Sequence, residues 1–325
     1  VKLRRRTFLQ LAASTAALPV LTGITSAQTY PTRPVRIIVP FGAGGGVDIT
    51  ARLVGQWLSE RLGQQFVIEN RPGAGGDIGT EVVVRAPADG YMLLMVGNNN
   101  AINATLSDKL NFNFIRDIAP ITSILRGPYV LVVNPSVPVK SVPEFIAYAK
   151  AHPGKLNMAS PGNGTGSHLA GELFKMMAGV DIVHVPYRGI ALALNDVLSG
   201  QVQVAFASAP ASIAYISAGK MHPVAVTTVT RLDALPHVPT VDEFVRGYEA
   251  SSWYGVGAPK GTPVEIIEQL NKEISAILVD AKVKARLADL GGTPFPGSPA
   301  DFGQFIAQET EKWRKVIRAA NIKPE

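Results

Sequence analysis

The chain has 325 residues, 46% hydrophobic and 17% charged, which is enough to bury the cores of two domains and excludes a disordered chain. It has no cysteine, and so no disulfide staple, thiolate zinc site or cysteine nucleophile. The net charge of +6 points to nucleic acid only until its source is found: Lys2, Arg4, Arg5 and Arg6 precede any acidic residue, and without residues 1–27 the balance is +2, so no nucleic-acid partner is expected.

Those basic residues open a segment with an apolar, alanine-rich run at 9–24 and the small-residue ending Thr25-Ser26-Ala27. This is the layout of a signal peptide with an A-x-A-like cleavage site, and Arg5-Arg6-Thr7-Phe8-Leu9 resembles a twin-arginine export signal. Pro19 and Gly23 interrupt the apolar run, which argues against a membrane-spanning helix. Residues 1–27 are therefore expected to direct export to the periplasm.

From residue 35 to about 97, strands at 35–39, 66–69 and 91–96 alternate with helical patterns at 50–62 and 79–86. Such alternation predicts right-handed βαβ units on a parallel sheet. The first strand runs into Phe41-Gly42-Ala43-Gly44-Gly45-Gly46 and the second into Pro72-Gly73-Ala74-Gly75-Gly76-Asp77, each turn leading to a helix. Unpaired N–H groups and the positive end of the helix dipole make such a turn a seat for a carboxylate or phosphate. Asn98-Asn99-Asn100 follows the third strand, where open α/β sheets present ligand groups, although turn asparagines also bond their own backbone.

A second series begins near residue 126, with strands at 129–133, 156–159, 182–185, 202–206 and 221–227. Helices are expected at 142–151, capped by Ser141, at 169–177 and at 191–198. A third glycine turn reads Ser160-Pro161-Gly162-Asn163-Gly164-Thr165-Gly166-Ser167-His168. The two series are alike in style and share no residue-level repeat. After Thr230, turn-rich sequence leads to a short strand at 253–256 and to helices at 263–279, with Thr262 as N-cap, 283–290 and 299–320. If these helices cover the first sheet, the chain crosses between domains near 125 and near 230 and leaves a hinged cleft. The expected domains are 28–125 with 231–325, and 126–230.

Several of these stretches occur together in a known family. Residues 34–48, Glu69-Asn70-Arg71-Pro72-Gly73-Ala74-Gly75-Gly76, Asp89-Gly90-Tyr91, Gly162-Asn163-Gly164-Thr165, Ser167-His168-Leu169-Ala170-Gly171-Glu172, Val185-Pro186-Tyr187-Arg188-Gly189 and Ser252-Trp253-Tyr254-Gly255 resemble the Bug receptors. These are the periplasmic solute-binding proteins of tripartite tricarboxylate transporters, and the match covers essentially all of the chain after residue 27. The resemblance implies a type II periplasmic-binding-protein fold, with two α/β domains, a cleft and two interdomain crossings. It implies a small organic acid in the cleft and membrane permease subunits as partners, or a role in sensing, without catalysis. The expected molecule is a monomer with no cofactor.

Carried over by position, the resemblance puts Phe41, Gly42, Ala43, Gly44, Gly45, Gly75 and Gly76 on the first domain's side of the ligand, with Asp48 just inside the first helix. Ser160, Gly164, Thr165, Ser167 and His168 match the second domain's loop, and Asn98 and Tyr187 complete the expected set. The family often has an acidic or amide pair after the strand at 202–206. Ala207-Ser208 stands there, so the group that selects among ligands is changed.

The alternative is an exported cofactor-dependent oxidoreductase or hydrolase with a nucleotide on the glycine turns. A G-x-G-x-x-G begun at Gly42 needs glycine where Val47 stands, and one begun at Gly73 needs it at Ile78; neither turn carries the lysine of a P-loop. Ser160, Ser167 and His168 form no G-x-S-x-G elbow, and the histidines lack metal-ligand spacing. Asp48 either stabilises the helix dipole or accepts bonds from an ammonium or the opposite loop. Phe41 and Tyr187 wall the cleft or join the core, Arg188 meets a second carboxylate or water, and Trp253 serves a hinge or a core.

Overall fold

The computed structural model describes residues 30–106, 110–319 and 322. The expected export segment, 1–27, lies outside the described residues. The chain divides into a unit ending at Thr32 and a unit from Arg33 onward. Within the second unit the elements are β1 (Val35–Val39), α1 (Gly46–Leu62), β2 (Phe66–Asn70), α2 (Asp77–Val84), β3 (Met92–Gly97), α3 (Asn98–Leu106), α4 (Phe114–Asp117) and β4 (Ile118–Val133). They continue with α5 (Val142–Ala151), β5 (Asn157–Ser160), α6 (Gly166–Ala178), β6 (Val183–Pro186), α7 (Ile190–Ser199), β7 (Val204–Ser208), α8 (Ala209–Ser217) and β8 (His222–Val226). The last are β9 (Ser251–Pro259), α9 (Val264–Val279), α10 (Ala281–Asp289), β10 (Thr293–Pro294) and α11 (Pro299–Ala319).

The strands follow the order β2-β1-β3-β9-β4-β7-β5-β6, with β8 and β10 also paired to β4. β1 lies parallel between β2 and β3, and β5 lies parallel between β6 and β7. Each half then takes an antiparallel neighbour, β9 beside β3 and β4 beside β7. The two α/β lobes thus repeat one strand order without repeating a sequence. In each, the switch of direction beside the first strand opens a crevice at the carboxyl ends of the strands, where ligands gather in such sheets.

One strand is shared by both lobes. The first part of β4, from Ile118 to Pro128, pairs with β9, and Tyr129 to Val133 pair with β7 and β8. The sequence reading expected a strand only from 129, because Pro120, Gly127 and Pro128 break the pattern before it. Register shifts between Pro120 and Thr122 and between Ser123 and Leu125 accommodate the irregular stretch.

Other boundaries also move. Asn98-Asn99-Asn100 is not a turn but the first part of α3: the Asn100 side chain accepts from Gly97 N–H at 3.0 Å and donates to the Thr80 hydroxyl at 2.8 Å, which anchors the helix start. Thr262 does not cap α9, since its hydroxyl donates to the Pro259 carbonyl at 2.8 Å and Pro263 occupies the cap position. β7 runs two residues later than expected, so Ala207 and Ser208 end the strand, paired with Val130 and Tyr129.

α11 spans both cores. Phe302 and Ile306 pack with Ile38, Leu94 and Trp253, whereas Trp313 and Ile317 pack with Phe145, Phe174 and Tyr248. Between these faces sits Glu309, only 6% exposed. Its Oε2 accepts the indole N–H of Trp253 and that of Trp313, each at 3.0 Å. A carboxylate so buried needs such donors, and the indoles need that acceptor. Glu309→Leu strands two buried N–H groups and should lower unfolding stability by about 2–4 kcal/mol. Glu309→Gln keeps an acceptor and should lose less; urea titration of the three proteins checks the order.

Candidate functional site

Four strand ends meet at one place. The turns after β1, β3, β5 and β7 lead into α1, α3, α6 and α8, and residues of all four junctions wall a single inner cavity of about 70 Å³. The first lobe supplies Phe41, Gly42, Gly45, Gly46, Val47, Gly97, Asn98 and Asn99. The second supplies Tyr129, Pro161, Thr165, Gly166, Ser167, Ile190 and Ser208, and Tyr254 of β9 completes the wall. No Asp, Glu, Lys, Arg or His is among these residues. Ile49 N–H is bonded to Gly45 O, so the N–H groups ahead of it in α1 have no acceptor in that helix; in α6 Leu169 N–H is bonded to Thr165 O and His168 N–H to the Thr165 hydroxyl, which leaves those of Gly166 and Ser167. The cavity is therefore electropositive through aligned peptide dipoles alone.

A larger outer cavity of about 530 Å³ adjoins it, sharing Phe41 and Pro161. Its walls are the second glycine turn, Pro72 to Gly76, with Ile78, and the second lobe's Gly162, Pro186, Tyr187 and Arg188. The two lobes touch here. Gly75 has φ +58°, and a Cβ on it would stand 2.6 Å from the Asn163 carbonyl oxygen, so only glycine permits this approach. The lobes also meet inside, where a Cβ on Gly46 would lie 2.6 Å from the Ser208 hydroxyl oxygen. The conformation is a closed one.

The expected residues divide accordingly. Phe41, Gly42, Gly45, Asn98, Thr165, Ser167 and Ser208 wall the inner cavity, and Gly75, Gly76 and Tyr187, again with Phe41, wall the outer one. Ala43, Gly44, Asp48, Ser160, Gly164, His168 and Ala207 wall neither. Asp48 supports the first turn from behind. Its carboxylate accepts from Gly44 N–H and the Asn70 amide, each at 2.9 Å, and is paired with Arg52. Burial pushes its pKa up, but the bonds from Arg52, Gly44 and Asn70 outweigh that and leave it below the usual carboxylate value. Ser160 and His168 support the third turn: the Ser160 hydroxyl lies 2.6 Å from His184 Nε2, and Gly164 N–H donates to His168 Nδ1 at 3.3 Å.

Asn98 and Asn99 both line the inner cavity and differ in their bonding. Asn98 lines the cavity with its bonds already committed, donating to Ser251 O at 3.0 Å and accepting from Trp253 N–H at 3.1 Å. Asn99, absent from the expected set, is 5% exposed and its Nδ2 has no partner. Tyr129 and Tyr254 were also missed, because they come from strands far away in sequence. Among the described residues no three acidic or histidine side chains are placed to hold a metal.

Two lobes of one strand order, closed over an uncharged cavity ringed by helix N-termini, have the plan of a solute receptor. The model of the tripartite tricarboxylate transporter family receptor matches residues 50–322. The chain belongs to that receptor family. The receptor is 37% identical over 303 residues to protein BugT of Bordetella pertussis, covering 92% of each chain. Among solved structures it resembles Rpa4515 of R. palustris with adipate, at a TM-score of 0.89 and 40% identity, covering 91% of the receptor and all of that chain. It also resembles MatC of Rhodopseudomonas palustris with bound malate, at 0.84 and 31%, covering 89% and 100%.

Behind the receptor's cavities lie three groups that titrate unusually. Asp77, first residue of α2, accepts from Asn103 Nδ2 at 2.9 Å; burial pushes its pKa up, Asn103 opposes that, Glu81 adds to it, and the result is about 6. The rings of His168 and His184 stack with centroids 3.8 Å apart. Burial lowers both; together with His184 and Lys175 it brings His168 to about 3, and together with Lys175 it brings His184 to about 4.

The slopes are opposite. A raised carboxyl pKa means that the folded state binds the proton more tightly, so ionising Asp77 costs stability as pH rises from about 4 to 6. Asp77→Asn should stabilise the receptor at pH 7.5 by about 1–2 kcal/mol, with the gain fading below pH 6. The depressed histidines contribute stability above pH 6.5 that is lost as pH falls toward their folded values. In denaturant titrations His184→Gln should lose less stability than the wild type between pH 7 and 5.

Proposed function

We propose that the protein is an extracytoplasmic receptor that closes on a small organic carboxylate, carries out no turnover and passes its ligand to transporter permease subunits or to a sensing partner. The observation that carries the reading is the inner cavity, with helix N-termini converging from both lobes and no side-chain charge on its walls. Backbone N–H groups are fixed donors, so they lose little freedom when an acid docks. The ligand-contacting residues on this reading are those that wall the two cavities. Asp48, Ser160, Gly164 and His168 act from behind, by holding the turns in shape.

The outer cavity narrows the ligand class. Arg188 is the one charged residue on the walls of either cavity, and it stands at the outer one. An acid with its head group inside therefore meets a cation where a second carboxylate would lie, which favours a dicarboxylate. The adipate and malate bound to the two similar structures are dicarboxylates of different length. Export by the twin-arginine-like segment and a monomeric state belong to the same proposal. So does the division into lobes, for which the sequence expectation of 126–230 extends to about 250, because Val241, Val245, Tyr248 and Ala250 lie in the second lobe's core.

Thermal-shift titration of the purified protein with mono- and dicarboxylates of two to seven carbons, and with nicotinamide and flavin nucleotides, tests the proposal. One narrow group of dicarboxylates should raise the melting temperature, and at one hundred times Kd the stabilisation is about 2.7 kcal/mol. The matching monocarboxylates should shift it less. A nucleotide that stabilises the protein, or no response to any acid, overturns the reading.

A further inference from the structure

The inner cavity holds a buried side-chain donor that nothing in the protein uses. Asn99 lines the cavity, is 5% exposed, and its Nδ2 has no hydrogen-bond partner. Buried amide donors are almost always paired, and an unpaired one costs stability. Four other polar side chains on the cavity wall have their donors committed. Asn98 donates to Ser251 O, Thr165 to Gly162 O, Ser167 to Phe206 O and Tyr129 to Asn98 Oδ1. Ser252, beside Tyr254 on β9, donates to Gly127 O.

Position adds to this. A Cβ on Gly76 would lie 2.5 Å from the Asn99 Nδ2 and 3.3 Å from the Phe41 ring. Gly76 and Phe41 both wall the outer cavity, and Phe41 walls the inner one as well. The free amide thus stands at the passage between the two spaces, where a ligand reaching from one to the other must pass.

We infer that Asn99 is a specificity-determining residue whose side-chain amide donates to the ligand's head group and selects an ionised carboxylate, an acceptor-only group, over an amide or amine. This rests on the receptor reading above. No group of the protein satisfies the donor; a carboxylate oxygen supplies its acceptor without bringing a donor that would need one in turn.

The test compares wild type, Asn99→Leu and Asn99→Asp by calorimetry, using whichever α,ω-dicarboxylate from malonate to adipate stabilises the wild type most, together with its half-amide. Asn99→Leu should weaken dicarboxylate binding on the order of ten- to a hundredfold. It should also narrow the preference over the half-amide. Its ligand-free melting temperature should equal or exceed that of the wild type, because an unpaired buried donor has been removed. Asn99→Asp should abolish binding at pH 7.5.

Unchanged affinity in Asn99→Leu overturns the inference and leaves the receptor reading intact. A lower ligand-free melting temperature with an unchanged preference shows a structural asparagine and also overturns it. A wild-type protein that binds no acid sinks the receptor reading, and this inference with it.

Discussion

The molecule depends on one constraint: helices of both lobes begin at the same small space, and N–H groups at their starts are left without an acceptor in their own helices. Such donors remain electropositive only if nothing anionic satisfies them from within the chain. The sequence keeps acids away from them. Asp48, the acidic residue in the first turn of α1, directs its carboxylate to Gly44, Asn70 and Arg52, so its negative charge holds the Phe41–Gly45 turn in place and does not fill the cavity. The cations are also absent from the inner walls, which leaves attraction to the peptide dipoles, whose direction the strands fix before any ligand arrives.

The lobes that carry these dipoles are linked by elements that belong to both. β4 pairs with β9 in its first part and with β7 and β8 in its second, while α11 contributes apolar residues to each core. Glu309 lies at the join and takes both indole N–H groups on a single oxygen. Across the cleft the two lobes meet where a Cβ on Gly75 would stand 2.6 Å from the Asn163 carbonyl oxygen. A side chain at that position would hold the cleft ajar, which is a steric reason for the second glycine turn apart from its N–H groups.

Much of this was readable along the chain, and the rest was hidden for identifiable reasons. The three glycine turns stand out because strand, glycine and helix succeed one another locally, and their walls do form the two cavities. The common strand order of the lobes was invisible, since it is a matter of which strands pair and not of which residues they contain. β4 was cut short because prolines inside a strand imitate its end. Asn98 and Asn99 cannot be told apart by composition, yet one step along a helix turns a side chain by about 100°, and this separates a structural amide from a free one. His168 was visible as a candidate, but its partner was not. Only the pairing of β5 with β6, which aligns Met158 with His184, brings the second imidazole against it.

The double membership of α11 also bears on how the protein comes apart. Were each lobe closed by its own last helix, heat or denaturant would melt one while the other survived. Here the terminal helix, Pro299–Ala319, is common property, and withdrawing Trp313 from one core drags Phe302 from the other. The helix that joins the two cores thus ties their fates, which favours a single all-or-none collapse.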